Sequence, residues 1–240
     1  MNKIKEKARR ILVDTPILPV LILYFIVSVF AVPNFATVYN IKNLFLQVSD
    51  VLVVACGLTF VVLNGGIDFS VTATLSLGSI IGAYIMAMSP IAHIPGLSIP
   101  AAIFAMLGIG LIIGLVNGFA VARLKMPSFI ATTATNLCFS GLAVLLCMQL
   151  TGKSSIYGLP KVFIILGGSG KYFVVPIILS ALCCLFCYLL LAKTKFGREV
   201  YAIGVNNVCA EVSGVNVKKV TVLIMVLSSI FAAIEGILLT

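Results

Sequence analysis

Few residues in this chain are placed to do chemistry. The clearest stretch is Asn64-Gly65-Gly66-Ile67-Asp68-Phe69-Ser70, where a double glycine, a carboxylate and a hydroxyl stand between two long apolar runs with almost no loop. Helices should break there. A break near a membrane surface frees backbone groups and sets Asp68 beside Ser70, which either lines a polar path or caps the next helix. Asp50 and Glu235 are ionisable groups inside apolar runs, which marks them as candidates for a water-filled cavity. Both are also expected toward the exterior ends of their runs, where solvent would accommodate them.

The other chemical motifs fail on spacing. TGKSS at 151–155 and GGSGKY at 167–172 imitate phosphate-binding loops, but a P-loop needs a glycine five positions before its Gly-Lys pair and a hydroxyl residue after it. Cys147 and Ile165 occupy those glycine positions, and Tyr172 replaces the second hydroxyl residue. The chain is therefore expected not to hydrolyse ATP by itself. Its one histidine, His93, sits in a short proline-flanked connection with no carboxylate nearby in sequence and reads as a solvated loop residue. Seven cysteines, with Cys183, Cys184 and Cys187 crowded together, read as packed or lipid-facing thiols rather than a metal or redox site. A membrane enzyme using Asp68 as acid or base would need a second catalytic residue facing it, and none is evident.

The elements that position these residues are written for lipid. With 61% hydrophobic and 10% charged residues, a chain of 240 residues cannot cover a water-soluble globule. A helix crossing a hydrocarbon core of roughly 30 Å needs about 20 apolar residues. Such runs recur near 16–38, 43–63, 70–89, 97–122, 127–150, 172–192 and 220–240. Their length and lack of alternation favour helices over barrel strands. The expected fold is an all-α integral membrane protein, a polytopic helical bundle of about seven spans in a single transmembrane domain, 1–240. Gly78 and Gly82, and Gly110, Gly114 and Gly118, form small-xxx-small faces for close helix packing.

The net charge of +9 would suggest nucleic acid in a soluble protein, but here its distribution sets topology. With the amino terminus in the cytoplasm, Lys3, Lys5, Lys7, Arg9, Arg10, Arg123, Lys125, Lys193, Lys195, Arg198, Lys218 and Lys219 fall inside. Only Lys42, Lys153, Lys161 and Lys171 fall outside, as the positive-inside rule favours. The first run follows five basic residues but no persuasive cleavage site follows it, so it reads as an anchor rather than a signal peptide.

This topology makes the charged loop at 193–219 cytoplasmic. Lys195, Phe196 and Gly197 are expected to end the sixth span, and Gly204 to interrupt any continuous helix. Asn206 is a good N-cap and Gly214 a good C-terminal stop, which frames a helix of about two turns. Alone it would be too short to be stable, so it should dock onto something. Within it Val208 and Val212 share a face, with Ala210 and Glu211 beside them.

Four stretches resemble the permease subunit of ATP-binding cassette importers of the ribose, xylose and galactose type. They are NGGIDFSV at 64–71, GLVNGFAVARLKMPSFIATTAT at 114–135, LTGKSSIYGLP at 150–160 and KTKFGREVYAIGVNNVCAEVSGVNVKKV at 193–220. The resemblance implies a translocation path for a sugar or sugar-like solute across a bacterial-type plasma (inner) membrane. The implied partners are a second permease copy, cytoplasmic ATP-binding subunits and an exterior solute-binding protein, with lipid around them and no nucleic acid. No cofactor is expected on this chain; ATP and Mg belong to the partner ATPase.

The resemblance also makes the 193–219 loop the seat of a coupling helix, with Gly197, Tyr201, Gly204, Asn206, Ala210, Glu211 and Gly214 as the coupling positions. Asn64, Asp68, Ser70 and Asn117 are the candidates for the translocation path or its gate. Departures occur at Thr72, Ala134, Ser140, Lys153 and at Asn207-Val208-Cys209, the last suggesting docking specialised for one ATPase. Family members continue past the equivalent of Thr240, so the chain is expected to be C-terminally short, and the alternative function is a non-transporting assembly or regulatory fragment.

Overall fold

The computed structural model describes residues 17–153, 155–168 and 172–240. The basic residues Lys3, Lys5, Lys7, Arg9 and Arg10 lie outside them, as do Ser154 of the TGKSS string and Ser169, Gly170 and Lys171 of the GGSGKY string. Among the described residues the regular structure is helical throughout. The helices are α1 (Ile17–Ala31), α2 (Val38–Leu63), α3 (Val71–Ala87), α4 (Pro95–Ala122), α5 (Ser128–Thr151), α6 (Lys161–Ile164), α7 (Val174–Lys193), α8 (Lys195–Val205), α9 (Asn207–Val212) and α10 (Val217–Leu239).

Five of these, α2, α4, α5, α7 and α10, are long and apolar enough to cross a membrane. The other two apolar helices are shorter: α3 has 17 residues, and α1 has 15 among the described residues, against the 20 or so a perpendicular span requires. Among the described residues, five helices thus qualify by length where seven runs were expected. The reasons are local. The first apolar run was expected to reach residue 38, but α1 stops at Ala31, ahead of Pro33 and of Asn34, whose φ of 63° is left-handed. α3 is cut short at its start by the Gly65-Gly66 break and at its end by the Ser89-Pro90 pair.

The chain divides into two compact units, Met1–Phe45 and Leu46–Thr240. In the first, the Phe25 and Phe35 rings meet edge-on at 5.3 Å, and Asn40 donates from Nδ2 to the Phe35 carbonyl at 2.7 Å, fixing the turn that leads into α2. The second holds the core, and α10 is its central helix. Two thirds of the most apolar stretch of α10 is buried (67%), against 17–33% for the other four long helices.

Close approach to α10 depends on missing side chains. A Cβ at Gly110 would lie 2.7 Å from the Ser229 carbonyl oxygen, one at Gly114 2.6 Å from the Val226 Cα, and one at Gly118 2.9 Å from the Val222 Cα. The three glycines thus form the groove of α4 that receives α10 backbone to backbone. Gly57 does the same for α2, where a Cβ would sit 2.8 Å from Phe231 Cβ and 3.1 Å from the Ser228 carbonyl oxygen. Gly82 faces the Met106 sulfur of α4. Because the Gly114 contact is with backbone that cannot rotate away, Gly114→Ala should lower stability by about 1–3 kcal/mol. Gly141→Ala, which meets nothing within 4 Å, should be neutral or slightly stabilising. Thermal unfolding of both variants in detergent measures the difference.

Candidate functional site

The helix break at 64–70 is built by local rules. Gly65 takes a left-handed φ of 76°, which only glycine adopts freely. The amides of Gly65 and Gly66 then turn back to the Val62 and Val61 carbonyls, both at 2.9 Å, closing the end of α2 in a Schellman turn. Residues 66–69 belong to no helix, so the amides of Ile67 and Phe69 need acceptors elsewhere. The start of α5 supplies them: Ser128 Oγ accepts from Ile67 N at 3.0 Å, and Thr132 Oγ1 from Phe69 N at 3.1 Å.

Asp68 then turns inward. Only 5% of it is exposed, and both carboxylate oxygens are taken. Oδ1 accepts from the Ser70 amide at 2.8 Å and the Ser70 hydroxyl at 2.6 Å, an Asx turn that leads into α3. Oδ2 accepts from the Ser228 hydroxyl of α10 at 2.7 Å. Ser70 Oγ in turn accepts from Asn117 Nδ2 of α4 at 2.8 Å, and Asn117 Oδ1 lies 2.8 Å from Thr135 Oγ1 of α5. One carboxylate thereby ties the broken segment to α3, α4, α5 and α10. A buried charge is tolerated only with such a complete set of donors.

The four path candidates therefore separate. Asp68, Ser70 and Asn117 meet in this internal knot, with Ser70 and Asn117 fully enclosed. Asn64 instead lines an open cleft of about 550 Å³, bounded by the break, the α4–α5 turn, α9 and the start of α10, with Lys125, Ser128, Glu211 and Lys218 on its walls. Its Oδ1 is buried without a hydrogen-bond partner. The acid–base reading of Asp68 is not favoured, because neither of its oxygens is left free to meet a substrate. Glu235 corrects its expected solvent exposure: it is 2% exposed, with Oε2 unpartnered.

The loop at 193–219 is more helical than its glycines suggest. The Thr194 hydroxyl accepts from Gly197 N at 3.2 Å and starts α8, which runs through Gly197 and Gly204 without interruption. Gly197 is required because a Cβ would press on the Leu190 and Leu191 carbonyls at the end of α7. Gly204 is required because a Cβ would collide with the Leu63 carbonyl oxygen, the last of α2. Val200 and Ile203 are buried in the same cluster as Phe60, and the Phe196 ring stands 6.1 Å from the Phe60 ring. α8 is thus pinned to the very end of α2, one residue before the break.

α9 follows with both caps formed. Asn206 Oδ1 accepts from Val208 N and Cys209 N at 3.0 Å each. At the other end Gly214, at φ 84°, lets Val215 N reach the Ala210 carbonyl and Gly214 N the Glu211 carbonyl, both at 3.0 Å. Ala210 faces inward at 3% exposure, whereas Val208 and Val212 are 70% and 85% exposed. Of the remaining coupling positions, Glu211 faces the 550 Å³ cleft and Tyr201 a separate lateral cleft between α2 and α7. Sequence reasoning did not single out Ser228, Ser128, Thr132 or Thr135, although the last three lie within the 114–135 stretch that carries the resemblance and Ser228 stands in a serine pair within an apolar run.

The described residues thus form a helical bundle round a broken helix, with a capped surface helix pinned beside the break. A family model described as "Branched-chain amino acid transport system / permease component" matches residues 40–240, and the chain belongs to that family. It is 37% identical over 231 residues to the ribose import permease protein RbsC of Bacillus subtilis (strain 168), covering 94% of this chain and 67% of the relative. It is 35% identical over 217 residues to the L-arabinose transport system permease protein AraH of Escherichia coli (strain K12), covering 90% and 62%. The galactofuranose transporter permease protein YtfT of the same strain is 33% identical over 192 residues, covering 80% and 53%. The chain thus spans about two thirds or less of the length of these relatives. No solved structure matches it.

Removing the carboxylate should cost far more than trimming one donor. Asp68→Ala orphans the Ser70 amide, the Ser70 hydroxyl and the Ser228 hydroxyl, at roughly 1–3 kcal/mol for each group left without a partner. Ser228→Ala orphans one group, the Asp68 Oδ2, and should cost about 1–3 kcal/mol. Asp68→Asn should be intermediate, since the Ser228 hydroxyl can turn to accept from the new amide. Denaturation midpoints of the three variants in detergent give the order.

Proposed function

We propose that this chain is the membrane permease subunit of an ATP-binding cassette importer, forming the translocation path for a sugar or sugar-like solute across a bacterial-type inner membrane. The relatives named for ribose, L-arabinose and galactofuranose support the solute class, and support transport over an assembly or regulatory role. The proposed topology has seven crossings, counting the short helices α1 and α3, with the amino terminus and the 193–219 loop in the cytoplasm. The distribution of lysine and arginine supports it. Its proposed partners are a second permease copy, cytoplasmic subunits that hydrolyse ATP with Mg, and an exterior solute-binding protein.

The observation that carries the proposal is α9. A helix of six residues with both ends capped presents Val208 and Val212 to solvent on one face while Ala210 anchors the other. Exposed valines on a rigid, preorganised element suit docking into an apolar groove of an ATPase. A push on α9 reaches α8 directly, and α8 bears on the Leu63 carbonyl through Gly204. Displacing the end of α2 moves the break, and with it the Asp68 knot that holds α3, α4, α5 and α10 together. The permease contributes two stable helix arrangements whose balance the partners shift.

Deleting residues 206–213, or replacing Gly204 with Trp, should abolish copurification of the ATPase while leaving membrane insertion intact. A gentler variant separates docking from folding. Val208→Ser with Val212→Ser changes only exposed side chains, yet removes apolar contact worth roughly 1.5–3 kcal/mol per valine if fully buried in the partner. ATPase affinity should then fall at least about tenfold. Retention of full affinity and normal uptake of a sugar panel into proteoliposomes would sink the docking assignment.

A further inference from the structure

The crowded cysteines of α7 have a neighbour that their sequence spacing does not reveal. Cys56, on the face of α2 that meets α7, brings its Sγ to 3.4 Å from the Sγ of Cys184. Cys187 lies beside the pair in the same cleft, its thiol donating toward the Cys56 carbonyl at 3.7 Å. The two thiols therefore face each other across a helix–helix contact, separated by 128 positions in the chain. An S–S bond is about 2.0 Å long, so side-chain rotation closing the gap by about 1.4 Å would join them.

Access differs between the two. Cys56 is 6% exposed, whereas Cys184 is only partly covered. Both line a lateral cleft of about 430 Å³ whose other walls include Leu52, Tyr188, Leu191 and Tyr201. The cleft lies in the flank of α2 and α7, both long and apolar enough to cross a membrane, so a lipid-soluble oxidant can enter it. The oxidants that reach such a place are apolar, and organic hydroperoxides are the class that forms within lipid.

We propose that Cys56 and Cys184 are an oxidisable pair, converted by a membrane-soluble organic hydroperoxide into a disulfide that staples α2 to α7. The half-covered Cys184 sulfur attacks the terminal peroxide oxygen, giving a sulfenic acid as the O–O bond breaks and the alcohol leaves with the displaced proton. Cys56 then attacks the Cys184 sulfur, the S–S bond forms, and the sulfenic hydroxyl leaves as water with the Cys56 proton. In sum two thiols lose two hydrogens and two electrons, and one hydroperoxide becomes one alcohol and one water.

The staple closes a short mechanical circuit. α7 ends at Lys193, α8 begins two residues later, and α8 returns to the end of α2 through Gly204. Oxidation would fix α2 and α7 above the point where α8 already joins them.

The full-length protein in lipid nanodiscs is treated with cumene hydroperoxide, blocked with a thiol alkylator, and mapped by mass spectrometry without reduction. The expected product is a peptide pair linked through Cys56 and Cys184 within one chain, released by dithiothreitol. Cys56→Ser should leave Cys184 as a sulfenic acid that dimedone captures, and Cys184→Ser should protect Cys56 from oxidation. Both changes are nearly isosteric, and a wild-type melting profile in each verifies the fold. The proposal is overturned if the link joins Cys56 to Cys183 or Cys187, or if it joins two chains. It is equally overturned if Cys184 proceeds to sulfinic acid with Cys56 free, or if neither sulfur reacts while the exposed Cys138 and Cys209 do.

Discussion

Everything in the larger unit depends on satisfying one buried carboxylate. Breaking a helix frees backbone donors and acceptors, and those turned into the bundle are costly if unpaired. The sequence meets this with three devices acting together. A glycine turn closes α2 on its own carbonyls, hydroxyls at the start of α5 accept the Ile67 and Phe69 amides, and Asp68 accepts from Ser70 and Ser228. Because those donors sit on different helices, the same groups that satisfy the break also fix how the helices stand around it.

The glycine contacts make this possible. Ser228 can reach Asp68 because α10 lies deep between α2 and α4, and it lies deep because Gly57, Gly110, Gly114 and Gly118 carry nothing that would hold it off. In lipid, where burying apolar surface gives little net drive, such backbone proximity and interhelical hydrogen bonds supply the association energy. The arrangement is stiff where it is polar and close-packed where it is apolar. A force at the end of α2 is therefore passed on as movement of whole helices rather than absorbed locally.

What the sequence made legible was local. The break at Gly65-Gly66, the Asn206 cap, the Gly214 stop and the glycine face of α4 each follow from a few adjacent or regularly spaced residues. Ser228 was not legible, since it lies 160 positions from Asp68 and a serine in an apolar run has no period to betray it. α8 was hidden for a different reason. Gly197 and Gly204 look like helix breakers at a cost of about 1 kcal/mol each, but both are held in a helix because only glycine lets α8 touch the carbonyl ends of α7 and α2. Tertiary contact overrode local propensity. α1 shows the converse: composition suggested an apolar run to residue 38, and the helix ends at Ala31, ahead of Pro33 and the left-handed Asn34.

The central claim is that the surface helix α9 and the end of α2 move as one body because α8 bears on Leu63 through Gly204. Pulsed electron–electron double resonance tests it most directly. Spin labels would be placed at the exposed positions Val62 and Ser213, the residue that closes α9, in a protein whose native cysteines are replaced by serine, with its ATPase bound. A second sample would pair Val62 with the exposed Val144 of α5. The account predicts an unchanged 62–213 distance between nucleotide-free and ATP-bound states, alongside a changed 62–144 distance. A 62–213 distance that shifts with nucleotide while 62–144 stays fixed would contradict it.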